Sequence, residues 1–587
     1  MPQLTINGET YDFEKGETIL QVALRNEVEI PHYCYHPGLS IVANCRICLA
    51  EVWAPNAKTG TLEPGAKLFP TCQHPAAEGQ VVHTESPKAI SNQKSVMEYL
   101  LINHPVDCPV CDQAGECHLQ DYSYQYGRGQ SRFQEQKDKK PKKDLGPHVL
   151  LYSDRCIMCT RCVRFTREVT GTGELLVEGR GSTEQIDIFP GVALDNELSG
   201  NVIDICPVGA LLDKDFLFQQ RVWFLKKTPS IDGITASGDN ISVEHNEGRV
   251  YRVKPRHNAE VNQWWITDEV RYGWKFVHRE DRLLLPTVKG VEYWPLEAAA
   301  EAWATALERT NALLESVASG ASGASAANGA SAANGASAAN GAGEGKSAAG
   351  ANSVPGRNTT KRIGLLVSPM LSCEDAFWLA RWVRAIDANA TLAVGPVPRM
   401  GTDRAFPSGF TVSAEKAPNA RGVRRVLEAL GGASVLDADA LLAEVQKGAI
   451  GAAVVTGNYP SGWVTPAMRA ALSSVPFILI DTLPNELSSL ADVVIPGAAW
   501  VEKEGCFENR NGRIQAFERA FAPVDFARAE AQIALDLLAQ LDGAIPAAYS
   551  AASTRSEMAK SGLTGFSAIH ETPARATTEP DMVYIEI

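Results

Sequence analysis

Thirteen cysteines are spread unevenly over these 587 residues: eleven fall before residue 207, and only Cys373 and Cys506, far apart, lie beyond it. Thiols that share one centre must converge whatever the rest of the chain does, so their grouping constrains the fold before any other feature. The sequence runs from Met1-Pro2 straight into LTINGETYDF, an alternating strand closed by an Asn-Gly turn, and reads without a secretory leader. No uninterrupted apolar run approaches the roughly 18 residues that span a bilayer. The expectation is a reducing compartment. There, clustered cysteines serve as metal ligands or catalytic groups rather than as a disulfide framework, and any membrane role comes through partners.

The eleven fall into three sets. Cys156, Cys159 and Cys162 in 156-CIMCTRC-162, with the distant pair Cys206-Pro207, form the C-x-x-C-x-x-C…C-P run of bacterial ferredoxins, in which a tight loop holds three corners of a cubane. A second complete run is absent, so Cys206 closes the same [4Fe–4S] cluster. Cys34, Cys45, Cys48 and Cys72 form another set around 44-NCRICLAEV-52. A loop with three thiolates and a distant fourth is the arrangement of a [2Fe–2S] ferredoxin, although the gap between Cys34 and Cys45 exceeds the plant spacing. A four-thiolate zinc site uses the same C-x-x-C pair and stays open on this set alone.

The stretch 101-LINHPVDCPVCDQAGECHLQ-120 supplies only three thiolates, Cys108, Cys111 and Cys117. The other two sets use the remaining eight, so the fourth ligand must be something else. Neutral imidazole is a good iron ligand, and His104 lies four residues before Cys108. His118 adjoins Cys117 and reads as a supporting or surface residue instead. Replacing a thiolate by a neutral donor reduces negative charge at a [4Fe–4S] cluster and raises its potential, as the histidines of Rieske centres do.

Composition bounds the rest. Hydrophobic residues at 45% and charged residues at 21% describe a globular protein with ample core, long enough for several domains. A net charge of −14 excludes a general nucleic-acid binder. The basic stretch from Arg132 to Lys143 reads as a solvated loop, with a docking surface for an acidic partner as the alternative. A β-rich piece, ITASGDNISVEHNEGRVYRVKPR, with an Asp-Asn turn, follows residue 220. Beyond it short apolar runs (RIGLLVS, GAAVVTG, FILID, ADVVIP) alternate with helical ones (EDAFWLARWVRAI, TPAMRAALSS), which predicts a parallel, doubly wound sheet. Three tandem GASAAN units from Gly323 to Asn340 lie within a stretch, 318–355, too poor in apolar bulk to fold and expected to be a flexible surface insertion.

Beyond these spacings, H-x-x-x-C-x-x-C-x-x-x-x-x-C resembles the histidine-ligated motif in the large peripheral iron–sulfur subunit of NADH:quinone oxidoreductase, respiratory complex I. The stretches YCYHPGLSIVANCRICLAEV, SDRCIMCTRCVRF, CPVGAL, WWITDEVRYGWKFVHREDRLLLP and ADVVIPGAAWVEKEGCFENRNGRIQAF agree with that family. The resemblance implies a multidomain α+β and α/β chain: a β-grasp [2Fe–2S] domain at 1–78, a His/Cys [4Fe–4S] module at 79–120, and a ferredoxin-like [4Fe–4S] module at 145–215. A small β-rich molybdopterin-oxidoreductase-like piece would follow at 220–276. A vestigial molybdopterin-oxidoreductase α/β domain would occupy 277–545, and a tail 546–587. It implies one [2Fe–2S] and two [4Fe–4S] clusters, on Cys34/Cys45/Cys48/Cys72, His104/Cys108/Cys111/Cys117 and Cys156/Cys159/Cys162/Cys206. A further cubane carried by some members is not expected, since no cysteine lies between Cys206 and Cys373. No molybdopterin is expected either.

By the same resemblance the chain relays electrons, with no substrate site of its own. They would come from NADH and FMN on a partner subunit and leave toward quinone through subunits of the quinone-proximal arm, coupled to proton translocation. Its place would be the cytoplasmic side of a bacterial inner membrane, or the matrix side for a processed mitochondrial chain; the start at Met1 without an Arg- and Ser-rich transit peptide favours the bacterial case. No Gly-rich dinucleotide loop or P-loop is present. The rivals are a relative of molybdenum formate dehydrogenase, a hydrogenase-associated diaphorase subunit and a structural zinc protein. The first would need Cys373 as a metal ligand, yet Cys373 reads as a small residue at a helix start and Cys506 as packing. Asn509, Arg510 and Arg513 are residue types that could once have held a phosphate or pterin, with simple solvation of a charged loop as the more ordinary reading.

Overall fold

The computed structural model describes residues 1–56, 58–291, 295–320, 361–431, 434–566 and 569. A hairpin opens the chain. Strands Gln3–Ile6 and Glu9–Asp12 pair through Asn7 and Gly8, both at positive φ (50° and 95°), as a two-residue turn matched to strand twist requires. Val81–His83 adds in parallel to Gln3–Ile6, and Leu49–Pro55 lies antiparallel beyond it. Helix Ile19–Arg25, fixed at its start by a Thr18/Gln21 capping box, lays Ile19, Leu20, Val22 and Ala23 on Leu4, Ile6, Val52 and Val82. This is the mixed sheet with one covering helix expected of a β-grasp domain.

Helix Pro87–Leu101 starts at a Ser86 cap and leads through a single turn, Cys108–Val110, into helix His118–Tyr126. A three-stranded sheet follows, in the order Leu211–Asp213, Val149–Tyr152, Lys142–Asp144. Beside it lie the hairpin Leu175–Glu178/Gln185–Ile188 and the short helix Arg161–Arg164, which widens into a π-turn over Phe165–Val169. The basic stretch is a largely exposed loop up to the strand Lys142–Asp144, tied down at a few points. Lys137 donates to the carbonyls of Leu101 and Ile102 at 2.7 and 2.9 Å, closing the end of the long helix; Arg132 pairs with Glu98 and Lys143 with Asp187.

Strands Lys226–Ile231, Asn240–Asn246 and Arg249–Pro255 form the antiparallel sheet expected after residue 220. Its tight turn falls at Glu247-Gly248, both at positive φ, and not at Asp239-Asn240. Asn240 already pairs with Ile231 in the ladder, and its buried amide donates to Gln515 at 2.9 Å, so it is committed to the strand.

The largest unit is a seven-stranded sheet. Its order is Thr287–Val288, Val493–Pro496, Phe477–Asp481, Ile450–Thr456, Arg362–Val367, Thr391–Val394, Leu436–Asp437, parallel throughout except at the Thr287–Val288 edge. Helices Ala299–Ala318, Cys373–Ile386, Ala420–Gly431 and Glu530–Asp542 cover one face, and Ala438–Gln446 and Pro466–Leu472 the other. That doubly wound arrangement explains why the central strands are apolar on both faces. The expected insertion begins inside the last turn of helix Ala299–Ala318; its part from residue 321 onward lies outside the described residues. The expected tail does not begin at 546 as a tail. Helix Ala551–Lys560 buries Thr554 and Met558 against the Cys373–Ile386 helix, where Trp378 donates to Thr554 at 2.9 Å, and Phe566 closes the core. Its low hydrophobicity conceals it in the sequence, because few of its residues face inward.

Candidate metal centres

Cysteines from all three sets reach one hydrophobic core. In the first, Cys34, Cys48 and Cys72 are buried and Cys45 is half-buried. Contacts with Cys45 and Cys72 hold the Cys34 thiol well below its ordinary range, and a contact with Cys72 holds Cys48 down. The same contacts, reinforced by burial, push Cys45 and Cys72 up. Four sulfurs that share a site cannot all ionise unless positive charge is placed among them, which a bound metal would supply. Backbone N–H groups of Asn44 and Cys45 point at the Cys34 sulfur. Ala43 and Arg46 reach that path only at positive φ, 51° and 62°. Such strain in non-glycine residues persists only where the surroundings fix it, and it concentrates at functional sites.

In the third set Cys156, Cys159, Cys162 and Cys206 line one apolar cavity, with Leu151 and Ile186 among its walls. Burial raises all four thiols, Cys156 to about 12 and Cys159 to about 11. The loop wraps the cavity through Met158 and Thr160 at φ 53° and 61°, which turns the Met158 N–H onto the Cys156 sulfur at 3.3 Å. Buried thiols around an apolar cavity, with backbone donors aimed at sulfur, fit a cubane held by four thiolates.

In the second set Cys111 and Cys117 are buried and near one another, and burial pushes Cys117 up to about 12. Burial holds His104 down to about 4, leaving its imidazole neutral. The guanidinium of Arg155, 3% exposed and paired with Asp107 at 2.6 Å, is a charge neighbour of both Cys111 and His104. His118 is half-buried rather than on the surface; its backbone N–H donates to the Pro207 carbonyl at 3.0 Å, joining this set to the Cys206 loop.

Sequence reasoning missed Arg155, Arg161 and Arg164. All three are buried, and the available signal was basic residues within and flanking the run 156-CIMCTRC-162. The two remaining cysteines sit as the sequence suggests, Cys373 at the start of helix Cys373–Ile386 and Cys506 packed in the core. Cys373 and Cys506, far apart in the chain, touch in the core, and both are fully buried. Asn509, Arg510 and Arg513 are engaged within the protein: Asn509 donates to the Ser237 carbonyl at 3.1 Å, Arg510 pairs with Asp403 at 2.9 Å and Arg513 with Glu260.

Five family models match in chain order. They are a 2Fe-2S iron-sulfur cluster binding domain over 2–87, the NADH-ubiquinone oxidoreductase-G iron-sulfur binding region over 93–132, and the ferredoxin-like domain of NADH-quinone oxidoreductase subunit 3 over 146–212. An NDSU1/NuoG-like 4Fe-4S domain follows over 225–275, and molybdopterin oxidoreductase over 325–540. The fourth stretch contains no cysteine, so it offers no thiolate to a cluster. Among curated proteins, the mitochondrial NADH dehydrogenase [ubiquinone] iron-sulfur protein 1 of Solanum tuberosum is 44% identical over 290 residues, 49% of this chain and 38% of that protein. The NADH-quinone oxidoreductase G subunit of Rickettsia felis is 40% identical over 289 residues, 49% of this chain and 41% of that one. The mitochondrial 78 kDa subunit of Neurospora crassa is 44% identical over 289 residues, 49% and 37%. These matches span about two fifths of the relatives' length. A solved NAD+-reducing [NiFe]-hydrogenase chain shares 29% identity over 38% of this chain and 91% of its own, at a TM-score of 0.33. About half of this chain is similar to the NADH-quinone oxidoreductase G subunit and to the mitochondrial 78 kDa subunit, and its sequence matches the models of iron–sulfur domains named for that enzyme.

Proposed function

We propose that the chain is an electron relay of an NADH:quinone oxidoreductase. One [2Fe–2S] cluster is held by Cys34, Cys45, Cys48 and Cys72. One [4Fe–4S] cluster is held by His104, Cys108, Cys111 and Cys117, and a second by Cys156, Cys159, Cys162 and Cys206. Iron–sulfur clusters supply one-electron exchange without bond rearrangement. The protein's own part is to bury the centres, hold them close together and set the charge around them.

One observation carries this reading: Cys34, Cys117, Cys159, Cys162 and Cys206, drawn from all three sets, line a single continuous hydrophobic core. Centres embedded in one packed body keep fixed separations and exclude water, as repeated electron transfer requires. In this reading NADH and FMN belong to a partner subunit. Electrons leave through subunits of the quinone-proximal arm, and proton translocation belongs to the assembly. Among the described residues no helix is long and apolar enough to cross a membrane, which accords with a peripheral position reached through partners, on the cytoplasmic side of a bacterial inner membrane or its mitochondrial equivalent.

The test is anaerobic purification followed by metal analysis and low-temperature paramagnetic resonance. About ten irons per chain (two, four and four), no zinc and three reducible signals are expected. A colourless, silent protein overturns the reading. Molybdenum with formate-dependent dye reduction would point instead to a formate dehydrogenase relative.

A further inference from the structure

Between the first and third cysteine sets lie two arginines, Arg161 and Arg164, only 6% and 8% exposed. One turn apart on the short helix Arg161–Arg164, they bracket Cys162 and follow Cys159. Every acceptor they reach is a backbone carbonyl. Arg161 donates to Tyr35 at 2.6 Å and to Ile205 at 3.1 Å. Arg164 donates to Cys34 at 2.6 Å, to Cys159 at 3.3 Å and to Ser40. Each guanidinium thus stitches the 34–40 loop to a loop of the Cys156–Cys206 set.

Neither arginine has a carboxylate partner among the described residues, and the Nε of each is buried without an acceptor. Other buried arginines of this protein are paired, Arg282 with Glu502 and Arg271 with Asp204. An unpaired buried cation is strongly unfavourable, because it loses its water shell and gains no opposite charge. The sulfurs of Cys159, Cys206 and Cys34, which span both sets, are the charge neighbours that favour the Arg161 cation, while the adjacent Arg164 opposes it. Arg164 is a further charge neighbour of Cys159. The missing anions are therefore to be sought on those sulfurs.

We propose that Arg161 and Arg164 are shared counterions of the Cys34/Cys45/Cys48/Cys72 and Cys156/Cys159/Cys162/Cys206 centres. They are positioning residues that clamp the two loops together and raise both reduction potentials. This rests on the cluster reading above. Four thiolates around an iron–sulfide core leave it net negative, and reduction adds one more negative charge. A fixed cation in a low-dielectric interior favours the reduced form, and one cation placed between two centres acts on both.

The experiment is a potentiometric titration of the holoprotein followed by paramagnetic resonance, for native protein and for Arg161→Gln, Arg161→Lys, Arg164→Gln and Arg164→Lys. Either glutamine variant, with its iron retained, should move both midpoints negative. Lysine, which keeps the charge, should restore most of that shift. Native protein without cluster signals sinks the cluster reading itself. Native signals with glutamine variants at native midpoints sink only the counterion proposal, as does a lysine variant shifted as far as its glutamine counterpart. If the glutamine variants lose iron, the lysine variants decide. Iron kept by lysine shows that the charge is required, and iron lost there too overturns the proposal in favour of a purely geometric role.

Discussion

The sulfur of Cys111 occupies the space that a side chain at residue 209 would need: a Cβ on Gly209 would meet it at 2.3 Å. Gly209 follows the Cys206-Pro207 corner, so a bare backbone there lets the second and third cysteine sets abut. Gly209→Ala should displace Cys111 and empty its centre. Iron analysis should find about four fewer irons per chain, with the resonance of the Cys156–Cys206 centre kept.

His104→Cys exchanges a neutral donor for a thiolate. If His104 is the fourth ligand, the variant adds one negative charge to that centre and its midpoint moves negative, with an altered resonance. Unchanged potential and spectrum would remove His104 from the ligand set.

Arg252 joins the second set to the antiparallel sheet. It forks onto Glu116, between Cys111 and Cys117, at 2.8 and 2.9 Å, and its Nε donates to Glu244 at 2.6 Å. Arg252→Met removes the guanidinium from buried Glu244 and leaves Glu116 with Lys254 at 3.3 Å, a loss of about 3 kcal/mol by analogy with broken buried pairs. Urea denaturation of the holoprotein measures it; a change under about 1 kcal/mol would mean that water or Lys254 compensates.

In the α/β unit Glu530 and Asp375 share the buried ammonium of Lys503, and burial raises the Glu530 carboxyl to about 7. The folded chain then keeps a proton that an unfolded glutamate gives up near 4.5. Stability from this group is complete below about pH 4.5 and falls by about 3 kcal/mol as pH rises through about 7. Glu530→Gln cannot lose that proton, so native protein should weaken relative to the variant between about pH 5 and 8. Parallel denaturation curves at both pH values would refute this.

Much of the architecture is legible in the sequence because its causes are local. The runs RIGLLVS, GAAVVTG, FILID and ADVVIP are apolar on both faces, which suits only a strand covered twice, and all four are central strands of the parallel sheet. The Asn7-Gly8 hairpin announces itself through backbone freedom at two residues. The Glu247-Gly248 turn does not, since Asp239-Asn240 looks equally turn-like until Asn240 is seen paired with Ile231. Helix Ala551–Lys560 reads as tail because packing, rather than hydrophobic content, orders it.

The amino-acid order alone determined the tight runs Cys45–Cys48, Cys108–Cys117 and Cys156–Cys162, since cysteines a few residues apart are tied by short stretches of backbone. Only the tertiary structure decided which groups lie side by side, that Arg161 and Arg164 fall between two of them, and that Cys373 meets Cys506. Those outcomes join residues up to 133 positions apart, and no local propensity reaches that far: they follow from how domains close over a common core.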